Sequence, residues 1–514
     1  MAVASPSAPS FYCTPHSGYR HARFSLPISV RAGRDFRSRI LARPRIASRL
    51  NAASSDGGEL VHELNHGRWR RGSFPVYVTL PIDAVGPNAQ AMRRKKAMTQ
   101  SFWALATAGV EGVVMEVWWG LVEGGFPGIY NWNGYLEIVE LAQRFGLKVR
   151  ALMAFHQCGS GPDDPFWIPL PLWVLEEMQE DPDIAFSDKF GRRSMEYISF
   201  GCDTIPVLNG RSPVQAYADM MKDFRDTFRP FLGGTITGIQ VGLGPGGELR
   251  YPSCPTQKLA WAWHARELGE FQCYDKYMVA CLNACAGKIG MKQWGNGGPN
   301  GASSLFQNPE YTEFFRSNGS WMSPYGEFFL GWYSEMLLLH GERICREAKA
   351  IFRGLEVSMT GKIAAVYWHY ATRSHPSELT SGYYNTVLRD GFTPIVRMFG
   401  RHGFGIGCSC FDMADSEEKP RMITTSKPES FLKQVLLSAG AWDVPLEGSN
   451  YSSKMDDDSF GQVVKMSKLS PSCSFNLVRM DRNMFESRRW DSFVRFVRQM
   501  SAAGDVFRLR SEFG

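Results

Sequence analysis

The chain has 514 residues, 44% of them hydrophobic and 21% charged, the composition of a folded domain able to bury a large core. No uninterrupted apolar run is long enough to cross a bilayer as a helix, and the eleven cysteines are scattered without metal-ligand spacing. The formal net charge of +6 is uneven: nine arginines lie between Arg20 and Arg49, and Asp35 is the one acid before Asp56.

That arginine-rich, acid-poor opening is the composition of an organelle transit peptide. A chain starting near Ser54 loses nine positive charges and one negative, which takes the formal net charge from +6 to −2. The basic balance therefore belongs to the leader and does not argue for nucleic acid as a partner. The other reading, a basic arm that binds a polyanion, lacks the acidic or aromatic interleaving such arms carry. The expected organisation is a leader over 1–55, a polar spacer over 56–73 and one domain over 74–514. The cysteines read as free thiols of a reducing compartment such as a plastid stroma. Cys408 and Cys410, two apart on an expected strand, should face the same way. Cys158 reads as an inert buried thiol, with a redox role as the alternative.

From Phe74 onward, short apolar or β-branched runs alternate with amphipathic helical stretches. The expected strands are Phe74 to Pro81, Gly112 to Val117, Leu147 to Phe155, Ile236 to Leu243, Met291 to Gly295, Ile363 to His369, Phe404 to Phe411 and Phe475 to Met480. Helical stretches between them include Ala91 to Ala108, Tyr135 to Phe145, Ser212 to Phe228, Tyr325 to Phe352 and Phe431 to Leu437. Eight such runs predict a (β/α)8 TIM barrel with long loops after the third, fourth and fifth strands. Barrel chemistry sits at the carboxyl ends of the strands, where Asp83, Glu116, His156, Glu248, Trp368, Asp412 and Arg479 all fall. Acids, an imidazole, an arginine and aromatic faces on one rim are the inventory of a sugar site. Singly, each has a bland reading: Glu116 a salt-bridged rim residue, His156 a satisfied loop histidine, Trp118 and Trp119 core.

The stretch Gly242 to Pro255, with Glu248 in a glycine-rich turn beside Gly246, Gly247 and Tyr251, carries the sharpest chemistry. A partly desolvated carboxylate there would hold a proton near neutral pH, as a general acid must. The alternative is a solvated glutamate in a flexible loop.

Together with Pro75-Val-Tyr-Val-Thr-Leu-Pro81, Val117-Trp-Trp-Gly120, Phe155-His-Gln-Cys158 and Glu378-Leu-Thr-Ser-Gly-Tyr-Tyr-Asn385, this string makes the chain resemble the β-amylase family over about Phe74 to Arg479. Those proteins are exo-acting, inverting hydrolases that release maltose from the non-reducing ends of α-1,4-glucans. The resemblance implies Glu248 as general acid. An inverting enzyme also needs a carboxylate that activates water, roughly 6.5–9.5 Å from the acid. The family's Gly-Glu-Asn-Ala motif corresponds here to Gly448-Ser449-Asn450-Tyr451, so Ser449 stands at the general-base position. A hydroxyl cannot take the base's part, and general-base help is typically worth roughly 10²–10⁴-fold.

The resemblance further implies Glu116, His156, Asp164, His375, Ser409, Asp412, Asn450 and Arg479 as substrate-binding positions, several of them altered. Glu116 and Asp412 stand for a family aspartate and glutamate, Ala371 for a binding lysine, and His369 for a tryptophan. The lid reads Gly159-Ser-Gly-Pro-Asp-Asp164, and Pro162 and Pro165 should stiffen it. The reading is a plastidial, non-hydrolytic β-amylase-like protein that binds α-1,4-glucan (starch, maltodextrin) or another amylolytic enzyme, with no cofactor, metal, nucleic acid or membrane. The runner-up is an active β-amylase in which Glu447 or Asp412 activates water. A third reading is an interaction protein that no longer binds glucan.

Overall fold

The computed structural model describes residues 74–512 apart from 160, 254–268, 303–308, 416–424 and 471; the expected leader and spacer lie outside the described residues, as do the last two residues of the Glu248 string. Eight parallel strands close into a barrel: β1 (Val76–Thr79), β2 (Gly112–Trp118), β3 (Lys148–Ala154), β4 (Ile236–Val241), β5 (Ser358–Lys362), β6 (Phe404–Cys408), β7 (Leu446–Ser449) and β8 (Cys473–Leu477). Each pairs with its sequence neighbours, and β8 closes on β1 through Val76 opposite Phe475. A barrel helix follows each strand: α1 (Lys95–Thr107), α2 (Asn133–Arg144), α3 (Pro213–Thr227), α4 (Pro324–Ile351), α5 (Thr393–His402), α6 (Pro428–Ala441), α7 (Asp457–Ser467) and α8 (Ser487–Glu512).

Local sequence explains these boundaries. Ser212 and Gln215 form a capping box with Pro213 in the first turn of α3, and Ser323 caps α4 ahead of Pro324. Gly403, at φ +72°, ends α5 in the left-handed conformation and lets β6 begin one residue later. The long connection after β3 holds the helix Leu172–Glu180 and an antiparallel hairpin, Ala185–Ser187 with Arg193–Ile198. The connection after β4 holds the helix Lys276–Lys288.

Two of the eight expected strands are corrected. Met291 to Gly295 is a 3₁₀ turn over Lys292–Gly295, while Leu446–Ser449 supplies the missing strand. The fifth strand is Ser358–Lys362, and Ile363 to His369 follows it as rim loop. Cys410 lies beyond the end of β6 at φ +65°, so it and Cys408 are not two residues of one strand. Trp119 is fully buried, edge-on to Phe155, Trp173 and Tyr217, and is core.

Candidate active site

The rim of the barrel is assembled from loop residues that the strand ends deliver. After β4 the chain turns through Gly246 (φ +63°) and Gly247 (φ +73°), two consecutive left-handed residues that favour glycine. A Cβ on Gly247 would lie 3.2 Å from His156 Cε1, so the glycine also permits the loop to close on that imidazole. Glu196, buried on the hairpin, accepts a hydrogen bond from Gly246 N at 2.8 Å and pins the turn. Glu248 follows, with charged groups on both of its oxygens. Arg250 Nε lies 3.1 Å from Oε2 and Lys362 Nζ lies 3.3 Å from Oε1, whereas Tyr251 is stacked on Tyr333 and donates its hydroxyl to the Tyr333 carbonyl. The carboxylate is held between two cations.

Ser449 is the last residue of β7, buried, with its Oγ donating to Ser409 Oγ at 3.2 Å. The two carboxylates considered as substitutes for a base there are both engaged. Glu447, two residues earlier on the strand, is buried against Arg150 NH1 at 3.1 Å. Alternation along the strand puts it on the same face as Ser449 but one layer deeper in the barrel. Asp412 accepts hydrogen bonds from Tyr451 N (2.7 Å) and Ser452 N (2.9 Å), which fixes the loop that leaves β7. Asn450 does the same from the other side: its Oδ1 accepts from Val478 N at 2.7 Å and its Nδ2 donates to Val478 O at 2.7 Å. Tyr451 thus has a fixed backbone and a ring that is 52% exposed, edge-on to Tyr367 at 5.8 Å.

Glu116 and Arg479 form a bidentate pair, at 2.7 and 2.9 Å, across β2 and the end of β8. Burial works against the Arg479 charge, but the Glu116 carboxylate outweighs it and raises the guanidinium pKa. His156 is edge-on to Trp118 at 5.2 Å. Burial, then the nearby charges of Arg250 and Lys362, push its pKa down to about 3, so the imidazole is neutral at physiological pH. Its buried Nδ1 has no hydrogen-bond partner among the described residues. Cys158 is pushed up to about 12, chiefly by burial and then by Glu116, and is an unreactive thiol at neutral pH.

Other positions serve the loops. Asp164 accepts from Phe166 N at 3.4 Å within the lid, and His375 Nδ1 pairs with the buried Glu378 at 2.6 Å. Asp83 is ion-paired with Arg93 and Arg94. The structure therefore gathers Glu248 with His156 through Gly247, Ser449 with Ser409, and Glu116 with Arg479, whereas Asp83 and His375 are tied into local pairs. Sequence reasoning missed Lys362, Arg250 and Glu196 as neighbours of the Glu248 loop. Arg250 stood in the same string, but nothing in the sequence brings Lys362 or Glu196 to it.

The described residues contain no group of three or more His, Cys, Asp or Glu placed to hold a metal ion. The rim carries two carboxylates paired with cations, Glu248 with Arg250 and Lys362 and Glu116 with Arg479, and position 449 at the end of β7 is a serine.

The profile of glycosyl hydrolase family 14 matches residues 77–506. The chain is 48% identical over 452 residues to β-amylase 1, chloroplastic, of Arabidopsis thaliana, covering 86% of this chain and 78% of that one. It is 44% identical over 450 residues to β-amylase 2, chloroplastic, of Oryza sativa subsp. japonica, covering 86% and 80%. Among solved structures, the catalytic domain of β-amylase from Paenibacillus polymyxa superposes with a TM-score of 0.68 at 24% identity, over 84% of this chain and 99% of that one, a likeness of fold. With the family profile spanning nearly the whole described barrel and plant relatives matched at this level, the chain belongs to glycosyl hydrolase family 14, the β-amylases.

Proposed function

We propose that this chain is a plastid-stromal β-amylase-family protein with little or no hydrolytic activity, acting in starch metabolism by binding α-1,4-glucan or a starch-degrading partner. One observation carries the reading: the base position is a serine whose Oγ is 3.2 Å from Ser409 Oγ, with Glu447 committed to Arg150 and Asp412 to two backbone amides. Glu248 keeps the family's general-acid position, with Arg250 and Lys362 beside its two oxygens. Without a carboxylate opposite, the attacking water keeps its proton and inversion stalls. Glu116, Arg479, His156, Asp164, His375, Ser409, Asp412 and Asn450 are the positions assigned to glucan contact. Residues 1–55 are assigned as the transit peptide, in keeping with relatives named chloroplastic.

The test is maltose release from maltopentaose or soluble starch by the chain without residues 1–55, with retention on amylose affinity gels alongside. The expected result is retention without appreciable maltose. Turnover near an ordinary glycosidase rate, about 10 s⁻¹ or more, overturns the non-hydrolytic reading. Absence of retention leaves protein partners as the function. An active β-amylase is the second reading, favoured by the retained Glu248 and by 48% identity to a relative named β-amylase.

A further inference from the structure

The helix Lys276–Lys288, in the excursion after β4, places Cys281 and Cys285 one turn apart on a flank that is partly open to solvent. Cys285 hydrogen-bonds the Cys281 sulfur, and Cys281 Sγ lies 3.5 Å from Sδ of Met336 on α4. The Cys281 sulfur thus lies beside both a thiol and a thioether where two helices pack. The indole of Trp332, one turn before Met336, also faces the Cys281 sulfur, and its Nε1 reaches no other acceptor. Arg343 and Lys288 supply positive charge nearby.

A disulfide is the obvious use of two adjacent cysteines, but the geometry disfavours it. Side chains four apart on a helix have Cβ atoms about 5–6 Å apart, and a disulfide needs roughly 3.5–4.5 Å. Closing one would require opening the helix. A bridging soft atom fits the wider spacing: at metal–sulfur distances of about 2.3 Å, ligands of a trigonal ion lie about 4 Å apart. Two thiolates and a thioether select Cu(I). Zinc would want a fourth nitrogen, sulfur or oxygen donor, and among the described residues no third His, Cys, Asp or Glu joins this pair.

We infer that Cys281, Cys285 and Met336 form a binding site for a soft monovalent d¹⁰ cation of the Cu(I) class, remote from the barrel rim. On binding, Cys281 and Cys285 each release a proton to solvent, no change of oxidation state occurs, and the bis-thiolate complex of a monovalent ion carries a single negative charge near Arg343 and Lys288. The ion would tie the excursion helix to α4.

The experiment titrates the full chain, reduced and metal-free, with Cu(I) under ascorbate against the chromophoric competitor bicinchoninate. One equivalent should be withdrawn from the competitor, with a sulfur-to-copper absorption band in the near ultraviolet. Cys281→Ser and Cys285→Ser should each weaken binding about 100-fold, and Met336→Leu, which keeps the packing volume, about tenfold. Unchanged melting of Met336→Leu without metal shows that its effect is on the ion. No Cu(I) uptake by the wild type, unchanged affinity in any of the three variants, or preferential Zn(II) binding at these residues overturns the assignment.

Discussion

Replacing Glu447 by glutamine tests whether this carboxylate is a structural ion or a hidden catalytic base. Glu447 is 4% exposed and Arg150 is 8% exposed, 3.1 Å apart inside the barrel. Arg150 is also held by Ser474 Oγ at 3.0 Å and lies 3.7 Å over the Tyr77 ring. Those contacts keep the guanidinium in place when the carboxylate is gone, so Glu447→Gln leaves a buried, uncompensated positive charge at nearly constant volume. Breaking one side of a buried pair costs about 3–5 kcal/mol. The Ser474 and Tyr77 contacts put the expected loss at the lower end, about 3 kcal/mol. In a barrel of about 440 residues that lowers the melting midpoint by roughly 3 °C. Urea denaturation measures the loss directly, and a second variant, Arg150→Met with Glu447→Leu, should recover most of it by removing both charges. A loss below about 1 kcal/mol refutes the structural assignment. A fall of tenfold or more in maltose release at undiminished stability refutes it as well, since it would make Glu447 the base.

Three further outcomes follow from the same geometry. Ser449→Glu should raise maltose release from maltopentaose by at least about 100-fold, yet remain below ordinary glycosidase rates because Ala371 and the proline-bearing lid are unchanged; an unchanged rate excludes Ser449 as the lesion. Tyr451→Ala, which removes the exposed ring beside Tyr367, should weaken maltoheptaose binding about tenfold by calorimetry, and unchanged affinity removes Tyr451 from the glucan surface. His156 is neutral in the fold, with its pKa pushed down to about 3 from the ordinary histidine value of 6.5. Its contribution to stability is therefore complete above pH 6.5 and is lost as pH falls toward 3, where the unfolded chain takes up a proton that the folded chain does not. Between pH 6.5 and 5 the wild type should lose about 2 kcal/mol that His156→Gln does not lose, read from denaturation at the two pH values.

The limits of sequence reading are visible in two strands. β7 reads Leu-Glu-Gly-Ser, with one large apolar residue and a buried glutamate, and gives little hydrophobic signal, whereas the expected run Met291 to Gly295 is a 3₁₀ turn. β5 reads Ser-Met-Thr-Gly-Lys and lost to the apolar Ile363 to His369 run. In both strands the charge is neutralised by a residue from another part of the chain, Glu447 by Arg150 across the barrel and Lys362 by Glu248 from the adjoining turn after β4. Hydrophobic periodicity registers burial through apolar side chains and is blind to charges that are buried in pairs.

The sequence by itself determined the family and the barrel class, because long ordered motifs identify a residue's position without its coordinates. Tertiary structure alone decided that Glu248 lies between Arg250 and Lys362, that Glu447 and Asp412 are already engaged, and that Cys281 meets Met336. Each of these depends on which charge or sulfur from a distant strand or helix comes within reach. That is set by barrel closure and helix packing, which bring together residues that no local pattern connects.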